Sequence, residues 1–163
     1  MTIADGRFLA CLLLGAAALL SGCEDEGGGD VPANCSTNEA SNEDEGERMR
    51  PGGNCITCHE DEGEGPRYTI AGTVMGAYHD DERCVGVDGV TVEITGSDGK
   101  VLSLDTNSVG NFFYTGSVAT PYTAKVKSSA GEKAMTAAQS DLNCASCHTA
   151  EGASSAPGRI IAP

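Results

Sequence analysis

Apolar and polar residues alternate along the middle of the chain. From Val90 to Thr95 the apolar side chains recur at every second position, which is the pattern of a strand with one buried face. The pattern favours a mainly β fold, a small antiparallel β-sandwich at residues 68–136, and no long amphipathic helix is evident. Further strand-like stretches, separated by turns rich in Gly and Asn, lie at 68–78, 100–106, 111–115 and 122–127.

The first residues have the features of an export signal. An apolar run from Phe8 to Leu20 follows Arg7 and is too short to be a comfortable membrane span. It ends in Leu20-Ser21-Gly22-Cys23, which resembles the lipobox of bacterial lipoproteins. The resemblance implies that residues 1–22 are a signal peptide and that acyl chains on Cys23 anchor the mature protein to a membrane. A plain signal peptide or a short apolar anchor is the alternative, and all these interpretations predict export.

Residues 23–47 are strongly acidic. Between Glu24 and Glu47 there are nine acidic residues, no Lys or Arg, and a run of three Gly. Such a segment buries too little apolar surface to fold, so we expect a disordered, flexible tether between the lipid and the body of the protein. The acidic residues directly after Cys23 favour the outer membrane of the bacterial cell envelope as its location. The formal net charge of −14 argues against nucleic acid as a partner.

A repeated cysteine motif dominates the candidate chemistry. The pattern C-x-x-C-H is typical of covalent c-type haem attachment, in which two thiols bind the haem vinyl groups as thioethers and the following His binds the iron. We therefore expect two haems c, in loop-rich segments at 48–67 and 137–163 on either side of the sandwich. The motif occurs twice, as Cys55-Ile56-Thr57-Cys58-His59 and as Cys144-Ala145-Ser146-Cys147-His148.

Other uses of the cysteines remain open. Two C-x-x-C pairs can supply four thiolates to a structural zinc site, although zinc would leave both following His residues unexplained. Two small disulfides are a further alternative, since export exposes thiols to oxidation. Cys35 and Cys84 lie outside the motifs and are candidates for a disulfide of their own. Aromatic residues are scarce, so the hydrophobic core of this small fold would be thin and would need additional stabilisation. Covalently bound haem is a plausible source of that stabilisation.

Each haem iron would have one coordination position left after the haem and the motif His, and the ligand at that sixth position determines its reactivity. A Met or a second His gives an electron-transferring iron, whereas an open position permits ligand binding or peroxide chemistry. The candidates are Met49, shortly before the first motif, Met135, shortly before the second, and His79, the only remaining His. Core packing is an alternative role for Met135, and an exposed loop position is the alternative for His79.

Part of the chain resembles a known β domain. The stretches 71–74, 89–94 and 106–112, with Gly110 before the Phe, are similar to the carboxypeptidase-regulatory-like (prealbumin-like) β-sandwich over residues 68–128. That family is a structural and binding module, so the resemblance carries over no catalytic residues. The motifs and their order also resemble cytochrome-type lipoproteins in which this sandwich lies between two C-x-x-C-H motifs, and that likeness implies electron carriage by association.

Together these features favour an electron-transfer cytochrome over an enzyme. Its partners would be redox proteins, with self-association through the haem-bearing faces as a further possibility. A β-sandwich that serves in adhesion, binding or redox sensing, stapled by haem or zinc, is the first alternative. A dihaem peroxidase is the second, although the chain is short for a closed distal pocket and has no Trp. The carboxylates that follow His59 match no metal-loop spacing and are interpreted as a solvated rim beside the first motif: Glu60, Asp61, Glu62 and Glu64.

Overall fold

The computed structural model describes residues 31–63 and 65–163. The predicted signal peptide and the lipid site Cys23 lie outside these residues. No helix within the described part of the chain is long and apolar enough to cross a membrane.

The described residues form a mainly β fold, as the alternation predicts. A 3-10 helix occupies Cys144–Ser146. The other elements, in chain order, are α1 (Cys55–Glu62), β1 (Ile70–Met75), β2 (Thr91–Thr95), β3 (Val101–Asp105), β4 (Asn111–Tyr114), β5 (Thr123–Ser128), β6 (Gly131–Ala134) and β7 (Ile160–Ile161). The strands form two sheets, one of three strands in the order β4-β1-β7 and one of four in the order β3-β2-β5-β6.

The core lies between the two sheets. β2 alternates buried and half-buried positions, which confirms the period-two prediction, whereas every residue of β1 is buried. β1 is therefore the central strand on which both flanking segments pack. The buried cluster consists of Ile70, Val74, Val90, Val92, Ile94, Phe112, Tyr122 and Val126.

One strand pair differs from the predicted antiparallel arrangement. β7 runs parallel to β1, with Ile160 opposite Val74 and Ile161 opposite Met75. The expectation was a loop-rich segment from residue 137 to the end. A two-residue apolar stretch has no detectable period, and its partner strand is distant in sequence, so only the tertiary fold reveals this strand.

Residues 31–47 also differ from the expected disordered tether. Cys35 and Cys84 form a disulfide, the pairing that the sequence left as a possibility. The hydroxyl of Ser36 donates to Oδ2 of Asp80 at 2.7 Å, and the backbone N–H of Ser41 donates to the carbonyl of Arg83 at 2.8 Å. The acidic composition predicts that the segment has no core of its own, but it does not reveal these ties to residues 80–84.

The first motif lies on a short helix rather than in a loop. The side chain of Asn54 caps α1 by accepting a hydrogen bond from the backbone N–H of Thr57 at 3.2 Å. Gly63 ends the helix with a φ of +67°, a conformation that favours glycine. The helix has no buried residue and no apolar stripe, so the periodicity of its side chains does not predict it.

Candidate functional site

The fold brings the two C-x-x-C-H motifs together across β1. Both α1 and the 3-10 helix contact this strand. Asn143, which precedes the second motif, forms a parallel bridge with Ala71 of β1. Its Nδ2 donates to the hydroxyl of Thr57, a residue of the first motif, over 3.4 Å. Two segments that are far apart in the sequence are thus in direct contact.

The motif cysteines are free thiols in a shielded environment. None of the four takes part in a disulfide within the described residues. Burial, and next the nearby Cys55 thiol, raises the pKa of Cys144 to about 12, and burial also raises the pKa of Cys55. Within residues 31–63 and 65–163 no three His, Cys, Asp or Glu side chains form a group suited to a metal ion.

Each motif borders a cavity. The first cavity has a volume of about 380 Å³ and is lined by Cys55, Cys58 and His59 together with Met49, Tyr68 and Phe113. Among the described residues, its charged lining is predominantly acidic, with Arg50 as the one cation. The acidic lining residues are Glu47, Asp61, Glu62 and Glu82.

His59 packs in an aromatic environment at the first cavity. Its ring centroid lies 4.8 Å from that of Tyr68, and the Tyr68 ring lies 5.0 Å from Phe113. Gly65 approaches so closely that a Cβ there would lie 2.9 Å from the imidazole. Nδ1 of His59 is buried with no hydrogen-bond partner. A buried polar atom without a partner carries a cost of about 1–3 kcal/mol, and Oδ1 of Asn143 is the other such atom in the described part of the chain.

The second cavity has a volume of about 470 Å³ and contacts more of the core. The motif residues Cys144, Cys147 and His148 form one side of it. Core residues of both sheets, Phe112 among them, complete the lining. Its charged residues are mainly basic, in contrast to the first cavity: Lys125, Lys133 and Arg159 with the single acid Asp141.

The ring of His148 is oriented by the backbone. Its Nδ1 lies 2.9 Å from the carbonyl of Gly158. Since a carbonyl only accepts, this contact places the proton on Nδ1 and leaves the Nε2 lone pair available. Metal-binding histidines are commonly oriented by such a hydrogen bond, so this ring has the tautomer that an iron ligand requires.

The fold distributes the candidate sixth ligands unequally. Met49 lines the first cavity, where Nδ2 of Asn111 donates to its carbonyl at 3.0 Å. Met135 lines the second cavity and also packs against the core, so the two roles considered for it are compatible. His79 is exposed and lines neither cavity, and its Nδ1 lies 2.6 Å from the carbonyl of Ala150.

Three residues of the site were not identified from the sequence. Phe112 lines both cavities. Tyr68 packs on His59, and Arg159 lines the second cavity although it is buried. Arg159 had a sequence signal, since it is a lone cation in the apolar C-terminal stretch. Phe112 and Tyr68 had none, because strand residues of this kind usually pack in a core.

No protein-family model, no curated protein and no solved structure matches this chain. The function proposed below therefore rests on the motifs and on the geometry of the two cavities.

Proposed function

We propose that this chain is an electron-transfer c-type cytochrome with two covalently attached haems, exported and anchored by lipid on Cys23. The observation that supports the proposal most strongly is the arrangement of the two C-x-x-C-H motifs. Each borders a cavity of its own, and the two motifs are in contact through Asn143 and Thr57. The motif occurs twice in the sequence, and the fold brings its two copies into contact. These two observations are independent, and both favour the attachment of two haems.

The residues present fit haem c. Both cavities have volumes within the range of about 300–1,000 Å³ that is usual for ligand and cofactor sites. Each combines two thiols, a His and a Met, which are the groups that attach haem c and complete an iron coordination of the His/Met type. Haem bound in this way supplies a reversible couple of ferrous and ferric iron.

The chain's own groups define what such a centre does. Met49 lines the first cavity and Met135 the second, so each would be available as a sulfur ligand to an iron held there, and such a closed coordination would favour electron transfer over catalysis. The Gly158 carbonyl holds the imidazole of His148 in one orientation. Phe112, which is 2 % exposed, lines both cavities. Two redox sites that share a lining residue permit electron entry at one face of the molecule and exit at another.

The surroundings of the protein follow from the same proposal. The lipid on Cys23 keeps the chain at the bacterial cell envelope, preferably at the outer membrane, and its partners are redox proteins. The disulfide between Cys35 and Cys84 ties residues 31–47 to the folded body. The acidic surface makes encounters with basic partner surfaces favourable at low ionic strength.

The test is the haem content of the protein made in a host with c-type maturation machinery. We expect two haems per chain in the pyridine haemochrome assay, both resistant to acid-acetone extraction. The variants C55A/C58A and C144A/C147A should each retain one haem, and the control C35A/C84A should retain two. A purified, folded chain that carries no covalent haem would refute the proposal.

A further inference from the structure

Arg159 is a buried cation without an acidic partner. It is 6 % exposed and lines the second cavity. Within the described residues it takes part in no salt bridge. Buried charges are normally paired, because removing an ion from water has a large unfavourable free energy. An unpaired buried guanidinium at a cavity wall therefore indicates that an anionic group binds there.

The hydrogen bonds of Arg159 leave part of its guanidinium free. Nε donates to the carbonyl of Asp80 at 2.9 Å, and Nη1 donates to the carbonyl of Gly52. Nη2 makes no hydrogen bond within the described residues. In the described part of the chain, the fully buried side-chain atoms without a hydrogen-bond partner are Nδ1 of His59 and Oδ1 of Asn143. Nη2 of Arg159 is not among them, so it is not fully enclosed by protein. Nη2 thus keeps its donors free and retains some exposed surface.

The buried carboxylate of Asp80 already accepts three hydrogen bonds. Oδ1 of Asp80 accepts from the backbone N–H of Ser36 at 2.8 Å. Its Oδ2 accepts from the Ser36 hydroxyl at 2.7 Å and from the backbone N–H of Ala77 at 2.9 Å. Arg159 contacts this residue only through its main-chain carbonyl. Arg159 and Asp80 therefore form no direct ion pair through the carboxylate.

The rest of the second cavity adds positive charge. Nζ of Lys133 donates to the carbonyl of Ala162 at 2.8 Å and has no carboxylate partner within the described residues. Lys125 pairs with Glu93 and Glu132 and is neutralised locally. Asp141, the only acid of the lining, accepts a hydrogen bond from the hydroxyl of Ser146. The cavity thus has a cationic excess in a chain whose net charge is −14.

We propose that Arg159 is the anion-binding residue of the second cavity, where it takes a propionate carboxylate of the haem that Cys144 and Cys147 attach, and that its charge holds this haem at a higher reduction potential than the first. A nearby cation disfavours ferric iron, which carries one more positive charge than ferrous iron. The four acidic residues around the first cavity act in the opposite direction. This inference rests on the proposed function, since it requires a haem at the second motif.

The test is a potentiometric titration of the haem-loaded full chain, with C55A/C58A to assign the second haem. Arg159→Gln should decrease the equilibrium constant for reduction of the second haem about tenfold, which corresponds to 59 mV for a one-electron couple. The first haem should be unaffected, and Arg159→Lys should restore most of the difference. An unchanged second potential in Arg159→Gln, or an equal change at both haems, would overturn the inference.

A second pair of variants separates charge from folding. Arg159 also supports the carbonyls of Gly52 and Asp80, so its replacement weakens local packing. Lys133→Gln leaves those bonds intact and should lower the second potential in the same direction by a smaller factor. Lys100→Gln is the matched control, because Lys100 pairs with Asp98 and lines neither cavity. Equal potentials in Lys133→Gln and Lys100→Gln would contradict the electrostatic role, whereas absence of haem would refute the proposed function instead.

Discussion

At the scale of single residues, three histidines with the same chemistry have different environments. His148 has its Nδ1 held by the Gly158 carbonyl, whereas Nδ1 of His59 is buried without a partner. His79 is exposed, and its Nδ1 contacts the carbonyl of Ala150. The oriented ring and the unsatisfied ring both belong to C-x-x-C-H motifs. The exposed ring lines neither cavity.

Substitution of the two cavity methionines should change one haem each. We expect Met49→Leu to abolish the Met–iron charge-transfer band of the first haem and Met135→Leu to abolish that of the second, because Leu fills similar volume but offers no sulfur ligand. Absorption spectra of the oxidised protein measure both effects.

Met75 is the control for this pair. It is fully buried in β1 and lines neither cavity. Met75→Leu is a volume-conserving core change that should lower the free energy of unfolding by less than about 1.5 kcal/mol and leave the band intact. Loss of the band in Met75→Leu but not in Met49→Leu or Met135→Leu would show that the assignment of ligands is wrong.

At the scale of elements, the helix that carries the first motif depends on its cap. α1 has eight residues and buries none of them, so it has little tertiary stabilisation. The Asn54 side chain accepts from the backbone N–H of Thr57 and fixes the position from which Cys55 begins the helix. A short helix with this composition would otherwise fray at its first turn.

Removal of the cap should be measurable. Asn54→Ala should lower the free energy of unfolding by about 1 kcal/mol, since one backbone N–H loses its acceptor. Asn54→Asp keeps the acceptor and adds a favourable charge at the helix N-terminus, so its stability should remain close to that of the wild type. Denaturant unfolding followed by circular dichroism measures the difference, and equal losses in both variants would contradict the capping role.

The disulfide between Cys35 and Cys84 stabilises the attachment of residues 31–47 to the folded body. It joins positions separated by 49 residues. For a closed loop of that length the entropic contribution is about 4 kcal/mol, so C35A/C84A should unfold at a clearly lower denaturant concentration. Cleavage by a Glu-specific protease within residues 39–47 should also accelerate. Wild-type protein treated with a reductant is the control and should resemble the double variant, whereas unchanged cleavage would show that residues 31–47 are held by other contacts.

At the scale of the whole molecule, β1 organises the candidate site. It is buried along its whole length, pairs with β4 and β7, and contacts both α1 and the 3-10 helix. The contact of Asn143 with Thr57 and the lining of both cavities by Phe112 are consequences of this central position. The two cavities are therefore parts of one site rather than independent sites at opposite ends of a sandwich.

Proximity of the two sites predicts an optical signature. Two haems attached at neighbouring motifs should couple and give a bisignate circular dichroism signal in the Soret region. The signal should collapse to a single-signed band in C55A/C58A and in C144A/C147A, each of which retains one haem. A spectrum of the intact protein equal to the sum of the two single-motif spectra would contradict close contact between the sites.

Much of the fold was predictable because its signal is local. The alternation at residues 90–95 reflects one buried strand face, and β2 has the expected pattern. α1 and β7 were missed for different reasons: α1 lacks an apolar stripe, and β7 is only two residues long. Residues 31–47 were expected to be disordered because their composition shows that they cannot form a hydrophobic core of their own. Composition does not show that a disulfide joins Cys35 to Cys84.

The sequence by itself determined the candidate chemistry, and the tertiary structure decided how that chemistry is arranged. The spacing of Cys55, Cys58 and His59 is covalent information, and it predicts haem attachment without any knowledge of the fold. The contact between the motifs, the cavity that each Met lines and the unpaired charge of Arg159 depend on which strands lie beside β1. Those neighbours are set by burial of apolar surface between residues distant in sequence, and no local pattern records them.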